Sequence, residues 1–493
     1  LITLGVIPKR ATLLLLLATA IAFAPSIAGS FHLDDYSVLG DPAFTSFGGW
    51  AELLHPARVR PFTNLTLWAN YQLQQDSAWS YHLVNVLLHL CAVWLASEAF
   101  QKLLPPMASW AALIVFALHP LQTEPVAYVF ARSTLLCGFF AWSAIAAWLR
   151  ERRWLAVFLT AAALLSKEEA VALPLFFALF FGSRRNWPPI AAMFGLALAA
   201  GLRGLWATSQ VEGSGAGLDV SISPFTYALS QGYVIVRYLR LLLFPVGFNF
   251  DPDLDPALWL SLLCWCALGA AVMLLKPPAR LWFAAGLIFL APTSSLLPID
   301  DLAADRRMYL AAPCFAAALA LLWPVLKPRY LVALAVLLAT LSFARALVFR
   351  TEQSLWLDTV AASPAKVRPR TQLARAVAPA EALKVLANLP TEGRVSTERG
   401  RAYLELGRPA EALREFGVAL AAEPGDPRAL ANRGTALAAL GQSDAARQDF
   451  ARALALDPCL YPALVNLRQL GVPLPALSRC RFTADQNARL GLR

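Results

Sequence analysis

Residues 131–153 read ARSTLLCGFFAWSAIAAWLRERR. The run 131–149 holds one charged residue, Arg132, near its start, and Arg150, Arg152 and Arg153 close it. A helix needs about 20 apolar residues to cross the hydrocarbon of a bilayer, where only internal hydrogen bonds satisfy the backbone. This stretch has that length, and basic residues stop it on one side. It reads as a membrane span entering a cytoplasmic connection, because short cytoplasmic loops carry the excess of Lys and Arg.

Runs of the same kind lie on both sides: 11–29, 83–101, 108–124, 152–166, 170–182, 188–206, 258–275, 280–297, 308–326 and 330–348. Lys9 and Arg10, Lys102, the 150–153 arginines, Arg184 and Arg185, Lys276 and Arg280, and Lys327 and Arg329 occupy alternate connections. The opposite connections hold Asp34, Asp35, Glu124, Glu168, Glu169, Asp300, Asp301 and Asp305. This alternation predicts about 11 spans, with the N-terminus inside and the C-terminus outside. It requires 225–245, which carries Arg237 and Arg240, to lie as an interfacial helix on the outer side. The first run resembles a signal peptide, with small residues at Ala24, Ser26 and Ala28; we read it as a retained first span. The 152–166 and 170–182 runs are short and flank Ser166-Lys167-Glu168-Glu169, which predicts a connection recessed below the membrane surface.

The chain is 58% hydrophobic and 15% charged, against about 25% charged in a soluble domain. The deficit falls in residues 1–350, and 351–493 reads as an ordinary charged, Ala-rich helical segment. Two domains are expected, one in each solvent. The net charge of +10 is absorbed by topology and lipid headgroups, so no nucleic-acid partner is implied. Cys91, Cys137, Cys264, Cys266 and Cys314 sit in apolar runs and read as packing. Cys459 and Cys480 can pair if the tail lies in an oxidising compartment, but spacing alone does not pair them.

The tail repeats. Gly407 and Gly441, Ala412 and Ala446, Phe416 and Phe450, Ala419 and Ala453, and Pro424 and Pro458 are each 34 residues apart. That period and those residue types are the tetratricopeptide signature, in which glycine turns the hairpin and small residues let the helices approach. Copies are expected at about 396–429 and 430–463, a degenerate one around Glu381, and a capping helix within 460–475. The expected fold class is thus all-α: a polytopic helix bundle followed by a helical-repeat tail outside the cytoplasm.

The outer connections gather the chemistry. Loop 30–82 is long and aromatic, with Asp34, Asp35 and Arg60, and ordered loops of that length are usually functional. His82, Asn85 and His89 share one helix face. His119, Glu124 and Arg132 surround the next outer connection, Lys167 and Glu168 sit in the recessed turn, and Arg306, Arg307 and Tyr309 come late. Carboxylates and cations at a membrane surface suit a phosphate-bearing lipid: a carboxylate can deprotonate a hydroxyl, and Arg or Lys can hold a leaving phosphate. Bland readings stand beside these. Asp34 and Asp35 can cap a short helix; His82, Asn85 and His89 can bond within the bundle; His119-Pro120 can be a helix end; Lys167 and Glu168 can be an ion pair; one of Arg306 and Arg307 can snorkel to headgroups. No metal-ligand spacing appears.

His32-Leu33-Asp34-Asp35-Tyr36, Arg60-Pro61-Phe62-Thr63, the run from Tyr81 to His89, His119-Pro120-Leu121-Gln122-Thr123-Glu124, Ser166-Lys167-Glu168 and Arg306-Arg307-Met308-Tyr309-Leu310 together resemble the membrane half of the transmembrane-and-tetratricopeptide glycosyltransferases. These have the GT-C fold and use polyprenyl-phosphate sugars. The eukaryotic members are O-mannosyltransferases, and bacterial relatives are abundant. The resemblance implies that Asp34 or Asp35, with Asp35 favoured, acts as the base. It implies that Arg306, Arg307, Lys167 and Arg132 contact the donor phosphate, and that Arg60, His82, His119, Glu124, Glu168 and Tyr309 bind or orient substrate. It further implies single displacement with inversion, a polyprenyl-phosphate sugar as donor, and a protein or peptide acceptor met by the tail. The place implied is the periplasmic face of a bacterial inner membrane. A divalent cation stays open, since some GT-C enzymes use one. The chain departs from the eukaryotic members at Ala131-Arg132-Ser133-Thr134, which keeps the arginine and lacks their following acid. Two other classes remain in view: a membrane scaffold with an inactive transferase body, and a transporter, which would place charges near the midplane.

Overall fold

The computed structural model describes residues 9–209, 222–294, 297–323, 327–475, 477, 480, 482 and 484–491. The chain divides into two compact units, Leu1–Leu355 and Trp356–Arg493. The described residues form helices and no extended sheet.

Among the described residues of the first unit, five helices are long and apolar enough to cross a membrane: Arg10–Ile27, Ala78–Leu103, Val129–Leu149, Trp187–Ala207 and Pro328–Val348. Shorter apolar helices are Pro106–Leu118, Arg153–Ser166, Leu258–Leu274, Pro277–Leu290 and Ala311–Leu322, with Leu173–Phe181 shorter still. The unit is therefore that of a multi-pass membrane protein. Its outward surface agrees: Leu198 is 65% exposed, Val332 64% and Leu274 83%. Such an apolar exterior needs lipid as its solvent.

Several helices end earlier than the apolar runs predict. The helix that opens the 108–124 run ends at Leu118, where Val115 takes the last backbone bond, and His119-Pro120 turns the chain into the short helix Thr123–Ala127. Proline at 120 disfavours helix at 119 and lacks the donor needed to continue it. The ends of the 280–297 and 308–326 runs at 295–296 and 324–326 lie outside the described residues. Pro224–Leu243 is a 20-residue helix, and it does not meet the criteria for a span. Cys91 and Cys266 face outward, contrary to an interior packing role.

Close approaches set the bundle. A Cβ at Gly138 would lie 2.3 Å from the Tyr309 ring, so only glycine lets the Arg132–Leu149 helix rest there. Tyr309, His89, Phe116 and Phe23 form one edge-on aromatic knot. Edge-to-face rings of this kind add about 1 kcal/mol per pair beyond area burial.

The second unit is built from helix hairpins. Gly393–Glu405 pairs with Pro409–Ala422, and Pro427–Ala439 pairs with Ser443–Leu456. The turns fall at Gly407, with φ +69°, and Gly441, with φ +77°, a left-handed conformation that costs glycine little. Within each hairpin the Phe ring fills the space a Cβ would take, 2.6 Å from Gly400 for Phe416 and 2.7 Å from Gly434 for Phe450. A helix pair, Val367–Ala376 and Pro379–Leu386, precedes them. Helix Tyr461–Gln469 follows, where Asn466 donates to Thr435 Oγ1 at 2.9 Å. Cys459 and Cys480 form a disulfide with Cα atoms 5.3 Å apart.

Candidate active site

The chain leaves the Lys9–Ile27 helix and turns at Leu33, a non-glycine residue at φ +41°. A left-handed residue of that type costs roughly 1–2 kcal/mol, and such strain gathers where side chains must be aimed. Its effect is to send the next two carboxylates in different directions. Asp35 is 1% exposed. His32 N donates to its Oδ2 at 2.9 Å and Phe130 N to its Oδ1 at 2.6 Å. Burial pushes the Asp35 carboxyl up to about 8, with those backbone donors pulling the other way. Asp34 is exposed. Tyr128 donates its phenol proton to Asp34 Oδ2 at 2.8 Å, and the phenol oxygen accepts from Asp34 N at 3.2 Å. Neither carboxylate caps the short helix Asp35–Gly40 through its side chain. Asp35 thus stitches segment 32–35 to segment 128–130, and Asp34 presents an open carboxylate.

The second half of the site is an ion pair closed over a long sequence distance. Arg306 Nη1 lies 2.5 Å from Glu124 Oε1, and Arg306 N donates to Glu124 Oε2 at 3.1 Å. Burial pushes the Glu124 carboxyl up and Arg306 pulls it back. Asp301 stands 3.9 Å from Arg306 Nη2. The Arg306 charge also acts on Tyr128, which links the pair to Asp34. Arg306 keeps 24% of its side chain exposed. Its loop is clamped by Pro224–Leu243: Arg237 pairs with Asp305 at 3.0 Å, Tyr238 bonds both N and O of Ala304, and Gln231 donates to Leu302 O.

A third group lies at the recessed turn. Arg60, left-handed at φ +55°, forks onto Glu168, Nε to both oxygens at 3.1 and 3.0 Å. Lys167 is buried against Glu169 at 2.6 Å and Thr134 Oγ1 at 2.7 Å. The charges of Arg60 and Arg306 both reach Lys167, so the three cations form one neighbourhood. Among the described residues no three His, Cys, Asp or Glu side chains are grouped as metal ligands.

Other expected site residues are placed inside the protein. Arg132 is fully buried, with Nε on Asn85 Oδ1, Nη1 on Thr66 O, and Nη2 on Asn70 Oδ1 and Tyr81 O. Arg307 spends its guanidinium on the carbonyls of Leu302 and Asp301. His82 meets Ser30 O at 3.2 Å, and His119 meets Leu242 O at 3.2 Å while accepting from Leu121 N. Tyr309 bonds His89 Nδ1 at 2.9 Å. These five hold the scaffold. Sequence reasoning missed Tyr128, which in an apolar motif looks like core; its phenol next to a carboxylate is visible only in three dimensions.

The fold and site define a multi-pass helical membrane protein with acids and cations gathered in its loops. No protein-family model matches the chain. It is 26% identical over 272 residues to Protein O-mannosyl-transferase F38B6.6 of Caenorhabditis elegans, covering 49% of this chain and 39% of that one. It is 38% identical over 120 residues to Protein O-mannosyl-transferase Tmtc1 of Drosophila melanogaster, covering 23% and 14%. It is 30% identical over 187 residues to Protein O-mannosyl-transferase TMTC3 of Homo sapiens, covering 33% and 20%. The crystal structure of ArnT from Cupriavidus metallidurans bound to undecaprenyl phosphate superposes with TM-score 0.42 at 13% identity, over 94% of this chain and 80% of that one, a likeness too distant to carry any residue's role across. The chain therefore resembles protein O-mannosyl-transferases in sequence, and the matched part is 14 to 39% of the length of these relatives.

Proposed function

We propose that this chain is a membrane glycosyltransferase that moves a sugar from a polyprenyl-phosphate donor to a hydroxyl on a protein, at the outer face of a bacterial inner membrane. The observation that carries this is Asp34: an exposed carboxylate just beyond the first membrane helix, aimed by a buried phenol and set near the Glu124–Arg306 pair. The acceptor hydroxyl gives its proton to Asp34 as its oxygen bonds the anomeric carbon. The bond from that carbon to the phosphate oxygen breaks, and the phosphate leaves with its electron pair. One displacement inverts the anomeric centre. Arg306 stabilises the leaving charge with its exposed edge, while Lys167 and Arg60, neutralised by Glu169 and Glu168, hold the recessed turn. Arg132 and Arg307 are assigned to the scaffold, as are His82, His119 and Tyr309. Glu124 and Glu168 orient their arginines.

The tail is read as a tetratricopeptide-type solenoid, whose stacked hairpins offer a surface to an acceptor protein. The Cys459–Cys480 disulfide supports an oxidising compartment for it. The basic connections support a cytoplasmic N-terminus.

The test is transfer in proteoliposomes, using a panel of radiolabelled polyprenyl-phosphate sugars and periplasmic extract. Label moving to protein with the wild type and not with folded Asp34→Asn supports the enzyme and names its sugar. Transfer to lipid or glycan alone would replace the acceptor class. No transfer from any donor, with the tail still capturing protein, would leave a scaffold.

A further inference from the structure

The Tyr128 hydroxyl has its two hydrogen-bonding roles fixed by one residue. It accepts from the Asp34 backbone N–H at 3.2 Å and donates to the Asp34 carboxylate at 2.8 Å. The phenol is 1% exposed, and its ring is wedged edge-on against Phe250 at 5.4 Å and tilted on Phe130 at 6.1 Å. Its own carbonyl is held by Asn85 Nδ2 at 3.3 Å. Two residues further on, Phe130 N binds Asp35. So the Tyr128 segment is fastened at three points, and its oxygen cannot drift from Asp34. Among the described residues Tyr128 is the sole side-chain donor to Asp34, and it serves one oxygen, Oδ2. The other oxygen remains for the acceptor.

We propose that Tyr128 is the positioning residue of the transfer reaction: its hydroxyl fixes Asp34 with Oδ1 toward the acceptor. This rests on Asp34 being the base, as proposed above. A phenol that donates to a carboxylate favours the charged form, so removing the donor should register in the pH profile of the reaction. Alignment matters as much, because a base must meet its proton within hydrogen-bond reach. The titratable and charged groups around the pair are Asp35 and Tyr36 from the same segment, Glu352 beside Tyr36, and Arg306 with Glu124 from the facing loops. None of these hydrogen-bonds the Asp34 carboxylate, so replacing the phenol leaves its partner set otherwise unchanged.

The experiment is the pH profile of kcat for transfer in proteoliposomes, for the full chain with Tyr128→Phe and with 3-fluorotyrosine placed at 128. Phe keeps the ring and its packing and removes the donor. Fluorotyrosine keeps the donor and makes it stronger. We expect Phe to lower kcat by about 10-fold or more, with the KM for donor within about 2-fold, and to move the acid limb up by about one pH unit. Fluorotyrosine should move the acid limb down. A purely packing role moves both variants alike, or moves neither limb. If Asp34→Asn abolishes transfer while both Tyr128 variants keep the wild-type acid limb, Tyr128 is not the positioning residue and the base assignment survives. If Asp34→Asn transfers normally, the base assignment itself falls, and this inference with it. Should Tyr128→Phe fail to fold, the fluorotyrosine shift decides alone: a limb that does not move down overturns the proposal.

Discussion

Two polar regions of the membrane unit differ in one respect. Around Arg132 the donors and acceptors nearly match: Asn85, Asn70, Thr66 and Tyr81 take four bonds from the guanidinium, which is fully buried. Around Asp34 the match is deliberately incomplete. One carboxylate oxygen is held by Tyr128 and the other faces out, while Arg306 is paired on one side and a quarter exposed. A buried polar group must be satisfied or it destabilises the fold. A working group must keep a valence for its substrate. Saturation therefore separates scaffold from site more sharply than charge does.

The largest effect belongs to the open region. Asp34→Asn should reduce transfer by about 10²–10⁴-fold, the range a general base contributes, and leave the unfolding midpoint in detergent nearly unchanged. Next comes the closed region. Arg132→Ala strands four side-chain and main-chain acceptors in the bundle, so unfolding should become easier by about 3–5 kcal/mol, read by thermal aggregation of the purified protein. In the tail, Cys459→Ser should cost about 3 kcal/mol of that unit's stability, since the bridge closes a loop of 21 residues. Gly434→Ala drives a Cβ to 2.7 Å from the Phe450 ring, and about 1–3 kcal/mol of overpacking should follow, whereas Gly425→Ala meets nothing and should be silent.

The smallest effect is one of pH. The folded Asp35 carboxyl is raised to about 8 by burial, so its proton is bound more tightly folded than unfolded. Its contribution is fully present below the ordinary carboxyl range and is lost as pH rises through about 8. The unfolding midpoint should fall across that window in the wild type and show a shallower fall in Asp35→Asn.

The sequence made some of this legible. Apolar run length and alternating basic connections gave the helical membrane class. The 34-residue spacing paired Phe450 with Phe416 but did not single out Gly400 and Gly434, against which the two rings lie. Pairing between distant loops was not legible. Glu124 and Arg306 stand 182 residues apart, and Arg60 and Glu168 stand 108 apart; no local pattern joins them. Nor did sequence separate Asp34 from Asp35. Adjacent residues share composition, and it takes the left-handed turn at Leu33 to bury one and expose the other. The expectation favoured Asp35, and the proposal here takes Asp34 because it is the exposed carboxylate.

The most direct measurement compares Asp34→Asn and Asp35→Asn in one preparation, scoring sugar transfer and thermal unfolding together. The prediction is a double dissociation. Asp34→Asn loses transfer and keeps its midpoint. Asp35→Asn, which turns an amide NH2 toward the backbone N–H of a buried loop, loses about 1–3 kcal/mol of stability, and its folded fraction still transfers sugar. A folded Asp34→Asn protein with full transfer, or an Asp35→Asn protein that is stable and inactive, would contradict it.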